Sequence, residues 1–170
     1  MTVDRREDQR RARFESLIQP LLPAACGLAL AMLGDRGEVE DAVQEAALSA
    51  WRKLDQLDKG RPAGPWFMAI VANRCRATRR SRWWSLLRVA EVLPARPPSE
   101  VDVDGRADLE RALTKLRSND RLVLYLHFSM DLPLQEVADV MGVSLGATKS
   151  RLYRAARRLR PDVAVPEDLI

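Results

Sequence analysis

Arginine is the residue through which this sequence can do chemistry. From Arg61 to Ala90 there are seven arginines and no acid. Ser144 to Arg160 carries Lys149, Arg151, Arg154, Arg157, Arg158 and Arg160, again without an acid. A guanidinium is a permanent cation with a planar fork of donors, which matches phosphate oxygens and the edge of guanine. Between the chain start and the first of these stretches lies their opposite: Asp35 to Asp58 holds seven acids against three bases. One basic helix reads as solvated surface. Two acid-free ones, with an acidic helix beside them, indicate a chain that touches a polyanion at two places.

Other chemistries are poorly supplied. Cys26 and Cys75 lie far apart, with no CxxC and no Cys/His cluster, so neither a zinc site nor a disulfide framework is expected. No cofactor is expected. His127 is the single histidine, and it sits in the apolar run L-V-L-Y-L-H-F. A hydrolase or transferase would have to be built around it, so a packed side chain and a non-enzyme are expected. The 170 residues suffice for one ordinary domain or two small ones, and the +4 net charge with a pI of 9.5 hides the segregation just described. Arg5, Arg6, Arg10, Arg11 and Arg13 ahead of the apolar run Leu21–Leu33 imitate a signal peptide. Asp4, Glu7, Asp8 and Glu15 among those arginines, and Pro23 and Gly27 within the run, argue for a buried helix instead. The run is also shorter than the roughly 20 residues a bilayer takes. A cytoplasmic protein without membrane insertion is expected.

Helices must position these groups, because apolar spacing is helical throughout and period-2 alternation is absent. Phe14, Leu17, Ile18, Leu21 and Leu22 form a first stripe; Pro23 marks a break or a new start, and Gly34 a left-handed stop after Leu33. Asp35 with Glu38 caps a helix over about 36–57, whose core stripe is Val39, Val43, Ala46, Ala50, Leu54 and Leu57. After a Gly/Pro loop, Pro65 starts a fourth helix over about 66–84 with Trp66, Phe67, Ile70, Val71 and Ala77 inward. Pro94, Pro97, Pro98 and Gly105 among acids read as an extended linker, 85–106. The expected division is thus 1–84, a linker, and 107–170, in an all-helical, two-domain fold.

The last segment reads as a helix-turn-helix. Helices are expected at 107–116, at 119–128 with Ser118 as N-cap, and at 134–141. Gly142 turns the chain, Val143 plugs the joint and Ser144 caps a final helix, which Pro161 ends. On that helix Thr148, Leu152, Ala155 and Leu159 would pack inward. Ala147, Ser150, Arg151, Arg154 and Arg158 would face a DNA major groove, with Lys149 and Arg157 placed for phosphates.

E-V-A-D-V-M-G-V-S-L-G-A-T-K-S-R-L-Y-R-A, from Glu136 to Ala155, resembles the C-terminal domain of bacterial sigma factors of the extracytoplasmic-function group. L-G-D-R-G-E-V-E-D-A-V-Q-E-A-A-L-S-A-W-R-K-L, Leu33 to Leu54, is similar to that family's core-polymerase-binding segment. W-F-M-A-I-V-A-N-R-C-R, Trp66 to Arg76, is similar to the helix that reads the −10 element. The three occur in the family's order and span about Phe14 to Arg160. Two positions depart from the pattern. Ala147-Thr148 stands where Thr-Val is usual and puts a hydroxyl at a core position, where it bonds back to the helix backbone. Leu57 stands where the family often has an aromatic, and belongs in the core before any base-stacking role.

The resemblance implies roles. Asp41, Gln44, Glu45, Leu48 and Arg52, on the face the core stripe leaves free, would dock on the clamp helices of core RNA polymerase. Asn73, Arg74 and Arg76, with Arg61, Arg79 and Arg80, would hold a melted −10 strand. Ser144, Ala147, Lys149, Ser150, Arg151, Arg154, Arg157 and Arg158 would bind the −35 element. Trp83 and Trp84 read as packing or partner residues, or as base-stacking ones. The acidic linker is either a solvated tether or an occupant of the polymerase's RNA path. An anti-sigma factor is the expected inhibitor. The alternative is a stand-alone helix-turn-helix regulator, which has no need of the segment Glu40–Glu45.

Overall fold

A computed structural model describes the backbone of residues 2–58, 60–88 and 112–159, and the side chains of 5–58, 60–82 and 112–159. Residues 89–106 of the expected linker, the side chains of Trp83 and Trp84 and the segment from residue 160 onward lie outside the described residues. Helices account for the fold, with no strand among the described residues: α1 Thr2–Ile18, α2 Leu22–Leu33, α3 Arg36–Lys53, α4 Ala63–Arg88, α5 Ser118–Leu124, α6 Leu134–Met141 and α7 Leu145–Leu159.

Local signals in the chain set most helix ends. Pro20 sits within a short 3-10 turn, Gln19–Leu21, between α1 and α2, and Pro23 in the first turn of α2. Gly34 ends α2 at φ 77°, a left-handed conformation that costs glycine little. The Asp35 carboxylate accepts from the amides of Gly37 and Glu38 and starts α3. The last turn of the expected third helix tightens to a 3-10 turn, Leu54–Gln56, ahead of Leu57. Gly142, at φ 69°, turns the chain between α6 and α7.

Arg5–Leu33 is long and apolar enough to cross a membrane by length and composition alone. In the fold it is interrupted by the 3-10 turn, and Ile18, Ala25, Leu28, Ala29 and Met32 lie in the apolar core.

That core is continuous across both halves of the chain. The helices α2, α3 and α4 pack on one another, α5 and the turn after it lie on α2, and α6 lies on α4. Phe67, Met68, Val71, Ala72 and Cys75 of α4 are fully buried, together with Leu122, Val123, Leu126 and Val137 from the second half. Polar contacts cross the seam among the described residues. The Tyr125 hydroxyl donates to the Ala24 carbonyl at 3.0 Å, Arg121 Nη2 to Met32 O at 3.4 Å, and Arg76 Nη2 to Met141 O at 3.3 Å. Gly27 makes the first possible, since a β-carbon there would collide with the Tyr125 ring and hydroxyl.

Several details depart from the sequence expectation. The inward face of α4 is wider than expected: Phe67 and Val71 are fully buried and Trp66 and Ile70 pack half-buried against the core, while Met68, Ala72 and Cys75 are fully buried as well. Being covered by α2 and α3 on one side and α6 on another gives α4 two apolar rows in place of one. It also runs on to Arg88, because no Gly or Pro interrupts residues 66–88. Ser118 is the first residue of α5, not its cap; the Arg117 carbonyl accepts from Asp120 and Arg121 there. The helix expected to reach Phe128 widens after Leu124 into a π-turn, Tyr125–Ser129. The following loop is closed by Leu132 N donating to Leu126 O at 3.1 Å and by His127 Nδ1 against Leu132 O at 3.0 Å. Val143 does not plug the joint: it is 37% exposed, and its contribution is a backbone bond from its amide to Ala138 O.

Candidate polymerase and nucleic-acid interfaces

The acidic helix α3 buries Val39, Val43, Ala46 and Ala50 and leaves Asp41, Gln44, Glu45, Leu48 and Arg52 exposed. Leu48, at 56% exposure, is an apolar side chain with no cover. It and Gln44 open onto a groove between α1 and α3, floored by Phe14, Leu22 and Trp51 and edged by Glu7, Asp8 and Glu15, the last paired with Arg11 at 3.3 Å. The sequence reading missed these α1 acids as part of the surface; the signal was present, since they lie off the Phe14–Leu17–Ile18 stripe. Arginines from α1 fix the groove's far wall. Arg10 lies 4.8 Å over the Trp51 ring, donates to Trp51 O at 2.9 Å and pairs with Asp55 at 3.3 Å. Arg13 donates to Leu57 O at 3.1 Å. Both satisfy carbonyls at and just beyond the α3 C-terminus, where cations are favoured. Phe14 meets Trp51 edge to face at 5.3 Å. Leu57 is buried, consistent with the core role read from the sequence.

The structure ties the α3 face to the α4 face. Glu45 forms an ion pair with Arg74, so one expected polymerase residue and one expected −10 residue share a contact. Asn73 and Arg74 are exposed, as are Arg61, Arg79 and Arg80. Arg76 is drawn inward: its Nη1 donates to Asn73 Oδ1 at 2.7 Å and its Nη2 to Met141 O. Burial, and secondarily the charge of Arg151, hold its pKa below the ordinary arginine range. Arg76 thus ties α4 to the C-terminal end of α6. Arg121 shows the same pattern, lowered by burial and then by Arg79. Cys75, buried under α4, has its thiol pushed up to about 11 by desolvation.

On α7, Thr148, Leu152, Ala155 and Leu159 are buried, along with Ala156. Thr148 Oγ1 donates to Ser144 O at 3.1 Å, the back-bond expected of a hydroxyl in the core. Ser144 Oγ accepts from the Ala147 amide at 3.2 Å and caps the helix. Ala147, Lys149, Ser150, Arg154, Arg157 and Arg158 are exposed. Tyr153 is exposed among them, a ring that the sequence reading left unassigned although it falls between Lys149 and Arg157 on the helix face. Arg151 is half-buried, its Nε 3.9 Å from Asp120 Oδ1. Arg158 reaches the other oxygen of the same carboxylate at 3.4 Å.

Two family models match the chain, sigma-70 region 2 over residues 17–85 and sigma-70 region 4 over residues 111–161. The chain is 30% identical over 138 residues to the ECF RNA polymerase sigma factor SigL of Mycobacterium tuberculosis, covering 78% of each. It is 26% identical over 162 residues to the RNA polymerase sigma-E factor of Streptomyces coelicolor, covering 92% of this chain and 88% of that one. Among solved structures it resembles the sigma factor RpoE in complex with the anti-sigma factor NepR from Bartonella quintana. That match has a TM-score of 0.75 and 25% identity, over 90% of this chain and 99% of that one. CnrH in complex with the cytosolic domain of CnrY matches with a TM-score of 0.64 and 27% identity, over 89% and 87%. An acidic helix with an uncovered leucine, an arginine-bearing helix beside it and a capped basic helix-turn-helix occur in the order of the two matched regions. The chain belongs to the extracytoplasmic-function sigma factors, which direct RNA polymerase to promoters for transcription initiation.

Proposed function

We propose that this sigma factor docks on core polymerase through the exposed face of α3 together with the α1–α3 groove. Leu48 supplies an apolar anchor, and Asp41, Gln44 and the α1 acids supply a polar rim of sign opposite to a basic partner. The α7 residues Ala147, Ser150, Arg151, Arg154 and Arg158 read the −35 duplex, with Lys149 and Arg157 on phosphates. Asn73, Arg74 and Arg76 of α4, with Arg61, Arg79 and Arg80, hold the unpaired −10 strand. Opening is a binding mechanism: the unstacking of a captured base, a few kcal/mol, is offset by contacts made only after it leaves the duplex. The chain is not an enzyme in this reading; His127 is committed to the carbonyl of Leu132. Residues 1–84 form the polymerase and −10 domain, 85–106 the linker and 107–170 the −35 domain. The protein acts in the cytoplasm without entering a membrane.

The RpoE structure named above is a complex with an anti-sigma factor, which supports an anti-sigma factor as a third partner. The observation that carries the whole reading is Leu48, left bare on an acidic helix whose opposite face is fully packed. Run-off transcription with core polymerase on a library of upstream regions tests it: transcripts that depend on the added protein are expected. Leu48→Asp with Asp41→Arg should abolish them and weaken core binding in a titration. Protein-independent transcription throughout would return the chain to a stand-alone regulator.

A further inference from the structure

The α7 helix carries no acid of its own, yet two of its arginines are held by one carboxylate. Asp120 lies in the first turn of α5, and its side chain is only 15% exposed. Arg151 and Arg158 stand seven residues apart, two turns along one side of α7, and the Asp120 carboxylate lies between them. Oδ1 faces Arg151 Nε at 3.9 Å and Oδ2 accepts from Arg158 Nη1 at 3.4 Å. The neighbours Lys149, Arg154 and Arg157 have no such carboxylate partner among the contacts seen at the described residues. The basic face is therefore divided into free cations and restrained ones.

That division bears on discrimination. A free arginine binds any phosphate, whatever the sequence, and each phosphate neutralised steepens the salt dependence of binding by about 0.9 in log–log slope. An arginine already in an ion pair gives up that pair to reach a phosphate, so the indiscriminate contact loses most of its advantage. Contact of Asp120 with Nε of Arg151 leaves the two terminal nitrogens of that guanidinium for a base edge, which a planar fork can engage bidentately. Withholding cations from the wrong site is the repulsive half of specificity.

We propose that Asp120 is a positioning residue that sets the −35 specificity of α7, by restraining Arg151 and Arg158 from indiscriminate phosphate binding and presenting Arg151 to a base edge. This rests on the proposed duplex-reading role of α7. The experiment uses holoenzyme reconstituted from the full chain and core polymerase. The probe is a pool of promoter duplexes randomised over the −35 hexamer, sorted by binding at several salt concentrations. Asp120→Asn should flatten the −35 preference about fivefold or more at one position. It should also hold or raise affinity for mismatched duplexes and steepen the salt slope by about 1–2. Asp120→Glu, which keeps the charge, should retain most of the preference. Asp120→Ser, a smaller neutral replacement suited to a helix's first turn, should flatten the preference and steepen the slope in the same way, and serves if Asp120→Asn does not fold. A purely structural carboxylate predicts loss on matched and mismatched duplexes in proportion; that outcome, or unchanged preference and slope, overturns the proposal. If wild-type holoenzyme shows no −35 preference, the duplex-reading role of α7 itself fails, and the two failures are told apart.

Discussion

The helices α4 and α7 carry the same charge signature and sit in opposite surroundings. Each is rich in arginine and free of acid over its described length. Two sides of α4 are covered, its buried row includes Phe67, Met68, Val71, Ala72 and Cys75, and its Arg74 and Arg76 are engaged by Glu45 and the Met141 carbonyl. One side of α7 is covered, and Lys149, Ser150, Tyr153, Arg154 and Arg157 are left outward. In this arrangement most of the face proposed for the −35 element is open, while Arg76, proposed for the −10 strand, is occupied by the other half of the chain. Charge composition alone therefore does not separate a helix at a seam from a helix at a surface; the number of apolar rows beneath the charges does.

The contrast should be largest in stability. Phe67→Ala, in the middle of the α4 sandwich, is expected to cost about 3–5 kcal/mol, whereas Tyr153→Ala on α7 should stay within about 0.5 kcal/mol. Thermal or urea unfolding of the two variants checks this; equal losses would remove the distinction between the helices.

The second break point is the thiol under α4. The folded state holds the Cys75 proton up to about pH 11, against 9.0 for the ordinary thiol. The fold therefore binds that proton more tightly than the unfolded chain. Its contribution, on the order of 2 kcal/mol, is complete below pH 9 and is lost as pH rises from 9 to 11. Tyr125, also raised by burial, titrates in the same direction, so the comparison must be with Cys75→Ala, whose stability should fall less over that window. At neutral pH a thiol reagent should modify exposed Cys26 and spare Cys75.

The seam itself can be pried. Gly27→Ala should cost about 1–3 kcal/mol, because the Tyr125 ring must move and its hydroxyl loses the Ala24 carbonyl. Tyr125→Phe alone should cost about 1 kcal/mol. In a double-mutant cycle the two costs should not add, since Tyr125→Phe removes the atom nearest the new methyl. With a fluorophore pair across the halves, Gly27→Ala should also raise the open fraction. Strict additivity would mean the two residues do not meet in solution.

The smallest expected effect sharpens the description of α7. Ser144→Ala removes the side chain that accepts from the Ala147 amide, at a cost of about 1 kcal/mol. Amide exchange should quicken in the first turn of α7 and leave α4 unchanged.

What could be read from the sequence divides along the same line. Asp35, Gly34, Gly142 and Ser144 act within a few residues of themselves, so their roles were visible as spacing. The α7 face was legible for the same reason: one apolar row specifies which side is outward. The second α4 row, Met68, Ala72 and Cys75, was hidden because α6, more than 45 residues away, covers a side that looked free. Asp120 was silent, since a carboxylate in a helix's first turn is ordinary until the helix it restrains folds against it. The Glu45–Arg74 pair is the third such case; each partner had been assigned to a different interface, and only the packing of α3 on α4 brings them together.

The π-turn after α5 leaves the molecule with a built-in reporter. His127 is the sole imidazole in the chain, set beside Phe128 with ring centroids 4.9 Å apart. The Leu132 carbonyl that meets its Nδ1 can only accept, so in the neutral ring that nitrogen carries the proton and Nε2 the lone pair. One tautomer is thus selected by the bend that joins α5 to α6, and its nitrogen resonances stand alone in a magnetic-resonance spectrum. Any event that re-angles the two helices, whether promoter engagement or capture by an inhibitor, would alter that tautomer balance or the ring's shielding by Phe128. The angle of the joint becomes measurable on the unmodified chain.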